Sequence, residues 1–456
     1  MRAIIASARL PHRLFLCLAP FLYAAYALIT PPFQAFDENQ HLYRAWQLAS
    51  FQLIGEKRGA QAGGELPPGL ARATQSEIGS LVPLGPRIAV VRPASAMFAR
   101  KTPIGLHEQP GFLNFSGAVL YSPVGYGPQI VAVWLGRGLD LPVEWIIRLG
   151  RLLNAALAIA LIALALRILP VGKKVMLTTA LLPPAAAGAA AFGQDGLVIG
   201  CAFLLTAVGT KVAIERRWRS KDLAIAAAAG IAITVAKLVY LPLLAVAAFP
   251  LPGRAAPHRW LAPPLLLGLA AALSALMWVH MTQGLTVKFI SNLPDLGSQL
   301  AWLGAHPGRF LGMVLRTYCR PDLSFATGLF SFGDSTVPYV ISAAPFGMGA
   351  LLLSMAFGEK EAGALTLAGR AWMLILVMAV GLLIATILFL SYSWPDSLFI
   401  QGIQSRYFVP VLPLALIALI RPHPEPAPRL LPILILLATA SNAAALHGIF
   451  GTFYRL

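Results

Sequence analysis

Residues 148–170 read RLGRLLNAALAIALIALALRILP, with Arg148 and Arg151 at one end, Arg167 near the other and an apolar run between them. A helix needs about 20 apolar residues to cross the roughly 30 Å of hydrocarbon in a bilayer. The run at 145–169 has that length. Nine similar runs lie near 14–30, 175–192, 197–214, 222–250, 260–281, 338–356, 371–391, 407–420 and 430–447. Most read as single spans, whereas 222–250 is too long for one crossing and short for two, so a broken hairpin is expected there. The expected fold is an all-α integral membrane bundle of about ten to twelve transmembrane helices.

Composition agrees. Hydrophobic residues make up 58% of the 456 and charged residues 12%, against about 25% charged in an average soluble domain. The 35 Lys and Arg outnumber the 18 Asp and Glu, for a net charge of +17. Such an excess can mark a nucleic-acid binder, but here it flanks the spans. Arg2, Arg9 and Arg13 precede the first, Arg216, Arg217, Arg219 and Lys221 lie in ERRWRSK, and Arg254 and Arg259 occupy another short loop. Basic residues concentrated in short loops mark the cytoplasmic side and attract anionic lipid. The lipid bilayer, and no nucleic acid, is the expected partner.

The N-terminus is then cytoplasmic. The first span reads as an uncleaved anchor, because no small-residue cleavage site precedes TPPFQ. Within one polytopic domain, 1–456, residues 31–120 form a large first extracytoplasmic loop expected to carry juxtamembrane helices. A second outer segment, 282–337, holds the amphipathic-looking HPGRFLGMVLRTY. Full crossing by YSPVGYGPQIVAVWLGR, 121–137, would put Lys173 and Lys174 outside, so a re-entrant or juxtamembrane helix is expected. Broken backbone of that kind survives at membrane depth only where protein buries it. RPHPEPAPR, 421–429, reads as a stiff linker. Two of the three cysteines, Cys17 and Cys201, lie in apolar runs, so no disulfide framework is expected beside Cys319.

The densest ionisable cluster follows the first span, in PPFQAFDENQHLYRAWQ, 31–47. Asp37 with Gln40 three residues on has the spacing of a capping box. Glu38, His41 and Arg44 follow at steps of three, along one flank of a helix. Acids at a helix start with a histidine one turn on suit a general base or a divalent cation. Lys237 sits inside apolar IAITVAKLVYLP, where an ionisable group is costly and points to function or to a partner such as Asp195. Asp195 in FGQDGLV is expected to cap the helix after it. Arg406 precedes a late span, and its guanidinium matches phosphate oxygens. Arg148 and Arg151 read as edge anchors, and Trp46, Tyr121 and Tyr126 as belt aromatics or sugar-stacking rings. Glycine-rich nucleotide loops, HExxH and paired CxxC are absent from the sequence.

Together PPFQAFDENQHLYRAW, YSPVGYGPQ, RLGRLLNAALAIALIALALRILP, GQDG, AKLVYLP and QGIQSRYFVPVLPL resemble a large family of bacterial predicted membrane proteins of unknown function. That family is generally placed with the GT-C glycosyltransferases. The resemblance runs over nearly the whole chain, and it implies a GT-C-like bundle in the bacterial inner membrane. It further implies a polyprenyl-phosphate sugar donor and a glycan or lipid acceptor of the cell envelope, met on the extracytoplasmic face. Asp37, and second Glu38, would inherit the catalytic carboxylate. His41, Arg44, Lys237, Arg406 and Tyr121 are the expected substrate-binding residues, and Mg or Mn is the cofactor the acidic pair admits. FSFGDSTVP looks like a loose version of a late motif of the family and singles out Asp334. A polymerase or ligase of lipid-linked polysaccharide is a second enzyme reading. A transporter or flippase is the alternative from another class; internal repeats would mark it, and none is seen.

Overall fold

The computed structural model describes the chain except residues 1, 79–81, 85–86, 90–91, 100–101, 249–256, 289, 291, 320–328, 330–341, 357–358, 396, 423–429 and 456. Asp334 and most of the proline linker lie outside the described residues. Helices dominate: α1 (Arg2–Ile29), α2 (Glu38–Ala49), α3 (Pro68–Ile78), α4 (Gly127–Gly138), α5 (Val143–Ile168), α6 (Lys173–Leu181), α7 (Pro183–Ala189) and α8 (Asp195–Glu215). After them come α9 (Ser220–Ala236), α10 (Pro257–Thr282), α11 (Leu296–Ala305), α12 (Pro307–Tyr318), α13 (Ala344–Ala356), α14 (Leu367–Tyr392), α15 (Leu412–Leu419) and α16 (Leu430–Phe453).

Six helices among the described residues are long and apolar enough to cross a membrane: the Leu10–Ile29 part of α1, α5, α8, Ala262–Leu285, α14 and α16. Three shorter apolar helices accompany them, at Leu238–Ala247, Ala344–Ala356 and Ser405–Leu419. Fewer long helices than apolar runs arise because proline interrupts several runs. The run at 175–192 divides at Leu182, which is extended (φ −75°, ψ 151°) ahead of Pro183 and Pro184; a residue before proline is driven out of the helical region. The run at 222–250 divides at Lys237 (φ −147°, ψ 100°), where α9 stops and a 3-10 segment, Leu238–Ala247, begins. The expected break is therefore present, and its pivot is a charged residue.

Helix α8 runs through the centre, buried from Gly196 to Ala213 on almost every side and packed along α5. A helix apolar all round is one that other helices enclose. The approach is close at Gly200, where a Cβ would come within 2.7 Å of Leu161 on α5.

The described residues of 31–120 build a layer over one end of the bundle. Strands β1 (Glu56–Arg58), β2 (Gln61–Leu66) and β3 (Gly111–Asn114) form an antiparallel sheet in that order, with Gly63 opposite both Glu56 and Asn114. Its inner face and α2 share a second core with α4 and the start of α5, including Leu42, Trp46, Leu70, Phe115, Val133 and Ile146. The 12 residues of α4 span about 18 Å, short of a crossing. Helix α12 presses Phe310, Met313 and Val314 onto Ala385 and Phe389 of α14, as its amphipathic spacing implies. Cys17, Cys201 and Cys319 are all free thiols.

Candidate functional site

Two neighbouring acids open the site and have separate environments. Glu38 is buried and paired with Arg151, which donates from Nε at 2.7 Å and Nη2 at 2.6 Å. Its carboxylate also accepts the backbone N–H of Phe33 at 2.7 Å and of Phe192 at 3.3 Å. The remaining Arg151 donors reach the carbonyls of Ala27 (3.1 Å), Thr30 (2.5 Å) and Pro31 (2.9 Å). All five N–H groups of a guanidinium are thus used. This pair ties the end of α1, the start of α2 and α5 into one joint. Glu38, expected as the second acid of the site, is thus fully committed to this pair, and Arg151 is an internal clamp rather than an edge anchor. Arg148 is likewise buried, donating to the Met97 and Glu144 carbonyls.

Asp37 points the other way. Its backbone is left-handed (φ 52°, ψ 24°) and its side chain makes no capping bond. Gln40, the other half of the expected capping box, accepts instead from the Gly117 N–H at 3.2 Å. The carboxylate of Asp37 stays 64% exposed, 3.5 Å from Arg406 Nη2. Arg406 in turn lies 3.9 Å from Asp195, which accepts from Lys237 Nζ at 2.6 Å. Asp195 does not cap α8: it occupies the first helical position and spends its carboxylate on the two cations. The four charges come from the α1–α2 link, the start of α8, the break after α9 and the 3-10 segment Ser405–Val411. Arg406 is held over the Phe36 ring at 3.6 Å and donates through Nε to Gln404 at 2.6 Å. A cation on an aromatic face keeps part of its attraction for an anion on its other side.

His41 and Tyr121 stand beside these charges, their rings stacked 5.7 Å apart at 13°. His41 Nδ1 shares a 2.7 Å hydrogen bond with the Tyr126 hydroxyl. Burial lowers its imidazole from 6.5 to about 4 against the opposing pull of Asp37 and Asp195, so the ring is neutral at pH 7. It can bond a substrate but brings no charge to a phosphate. Arg44 is fully buried and donates to the carbonyls of Tyr121 (2.8 Å) and Leu53 (3.0 Å) and to Gln47. It shapes the site by holding Tyr121, which corrects its reading as a substrate ligand. Trp46 is buried under Arg137 and Tyr126 beneath His41, so neither offers an open ring face.

Ala187, Gly188, Tyr240 and Val409 line the cleft around Asp195, Lys237 and Arg406. Leu329 borders both this cleft and a cavity of about 330 Å³ whose wall is wholly apolar, with Met348 and Leu352 of α13, Val377 of α14, Phe408 and Leu412. The divalent cation that the acidic pair admits does not fit the donor set. Glu38 is filled, Asp195 is held by Lys237, and Asp37 faces a guanidinium. Among the described residues no group of three or more His, Cys, Asp or Glu is placed to hold a metal. Sequence reasoning missed the joining of Asp195 to Arg406, because an acid before an apolar helix has a sufficient local explanation as a cap.

These features define a polytopic helical membrane protein with a charged cleft at one end of its bundle. The family described as Predicted membrane protein (DUF2142) matches residues 18–415, and the chain belongs to it. No curated protein and no solved structure matches the chain.

Proposed function

We propose that the protein is an integral-membrane glycosyltransferase of GT-C type in the bacterial inner membrane. It moves a sugar from a polyprenyl phosphate to a glycan or lipid acceptor on the extracytoplasmic face. The observation that carries this reading is an exposed carboxylate, Asp37, facing Arg406, in a cleft that also holds Lys237 and shares Leu329 with an apolar cavity. A lipid phosphate needs this combination: positive charge for the head and apolar walls for the chain.

In the reaction Asp37 takes the proton of the acceptor hydroxyl as its oxygen attacks the anomeric carbon. The bond from that carbon to the phosphate oxygen breaks, and the phosphate leaves with the electron pair. Arg406 and Lys237 neutralise the charge that develops on it. Arg406 loosens from Asp37 as it engages the phosphate, freeing the carboxylate for the acceptor. One carboxylate suffices for this inverting displacement, consistent with Glu38 being committed elsewhere. A flippase for lipid-linked sugars is the second reading, favoured by the charged break at Lys237 in the middle of an apolar run.

The test uses purified protein in lipid and radiolabelled sugar on a panel of polyprenyl-phosphate donors. Wild type is expected to transfer, and Asp37→Asn to lose about 10²–10⁴-fold in rate while still binding donor. Undiminished transfer by Asp37→Asn sinks the assignment of the base. No transfer from any donor, with lipid-linked sugar crossing the bilayer instead, replaces the enzyme by the flippase.

A further inference from the structure

Helix α4 presents a stripe of exposed apolar side chains: Val131, Trp134, Leu135 and, just past its end, Leu139. A spacing of three and four residues puts them on one face. Beside it, in the turn after α2, Phe51 is 81% exposed and stacks on Trp134 at 6.0 Å. Phe51 has φ 60°, a region that a bulky residue enters only under strain. The backbone thus holds a large apolar ring outward against its own preference. Trp134 gives its one N–H to the Ala49 carbonyl at 2.8 Å, so its outward part is hydrocarbon only.

A patch of this kind on a folded surface marks a partner. The geometry points to the outer part of the bilayer as that partner, with α4 packed back along the start of α5 and Phe51 and Trp134 inserted among the lipids. Continuity argues for lipid: a four-residue link joins α4 to α5, and α5 is long and apolar enough to cross. The length of α4 excludes a crossing of its own. An apolar face, an interfacial tryptophan and a flanking cation, Arg137, are the features of helices that rest in the headgroup boundary. A functional consequence follows. Tyr126, immediately before α4, is bonded to His41 beside Asp37, so the depth of α4 sets the depth of the charged cleft and puts Arg406 and Lys237 at the level of lipid phosphates.

The test is independent of any enzymatic activity. In a chain with Cys17, Cys201 and Cys319 replaced by serine or alanine, Phe51→Cys, Leu135→Cys and Ala60→Cys are each labelled with an environment-sensitive fluorophore in liposomes. Ala60 lies in the polar turn between β1 and β2 and serves as the aqueous reference. A nitroxide on the lipid chain is expected to quench positions 51 and 135 several-fold more than iodide does, with the reverse at position 60. Iodide reaching 51 and 135 as readily as 60 overturns the inference, because the face is then in water. Protection from both quenchers also overturns it and assigns the face to protein, a second copy included. Position 135 retains the test if replacing Phe51 perturbs its turn.

Discussion

Asp37 and Glu38 are adjacent in the chain and differ in everything that decides their chemistry. One is an exposed carboxylate 3.5 Å from the nearest guanidinium; the other is sealed into a pair whose donors and acceptors are all used. Removing one partner of a buried ion pair leaves the other charge unpaired and costs about 3–5 kcal/mol. Glu38→Gln and Arg151→Met are each expected to lose that much in denaturant titrations. Asp37→Asn, at an exposed position, should stay within about 0.5 kcal/mol of wild type. Equal losses at 37 and 38 would show that Asp37 serves the fold. His41 supplies a pH signature. Its folded value of about 4 lies below the ordinary 6.5, so the unfolded chain takes the proton first as pH falls. The stability owed to neutral His41 is full above about 6.5 and is lost progressively down to about 4. His41→Gln should flatten the pH dependence of unfolding in that window; an unchanged slope would mean that the ring titrates normally.

At the scale of elements, the legible features were those with local causes. The apolar runs became helices, the amphipathic stretch became α12, and proline marked where long runs divide. The stretch 121–137 yields a 12-residue helix, α4, too short to cross a bilayer. Local cause also misled. Asp37 and Gln40 have capping-box spacing, yet the Asp37 backbone is left-handed and the Gln40 side chain is drawn to Gly117, 77 residues away. Asp195 looked like a cap because nothing near it in sequence competes for its carboxylate. Lys237, 42 residues on, competes and wins. Arg148 and Arg151 sit in the second and third turns of α5, near the helix end, where arginine usually reaches for the interface. The layer built from residues 31–120 covers that end and turns them into internal donors.

At the scale of the whole molecule, the cluster of Asp37, Asp195, Lys237 and Arg406 gathers four segments around the end of the bundle where α8 begins. The positive loop ERRWRSK lies at the opposite end of α8, 21 residues away along a continuous helix. Basic loops stay on the cytoplasmic side, so the cleft should open outward. In the cysteine-free chain, a membrane-impermeant maleimide added to intact cells is expected to label Ala60→Cys and to leave Arg217→Cys unlabelled until the cells are lysed. The opposite pattern would invert the protein and move the cleft to the cytoplasm. Hydropathy, charge distribution and proline placement determined by themselves that this is a helical membrane protein and where its long apolar runs break, because each depends on neighbours within a turn or a span. Only the tertiary structure decided that Asp37 is the available acid, that Glu38 and Arg44 are committed to the fold, and that Asp195 and Lys237 belong with Arg406. Those outcomes rest on side-chain contacts between segments up to about 370 residues apart, and a charge buried beside a partner has a different chemistry from the same charge in water.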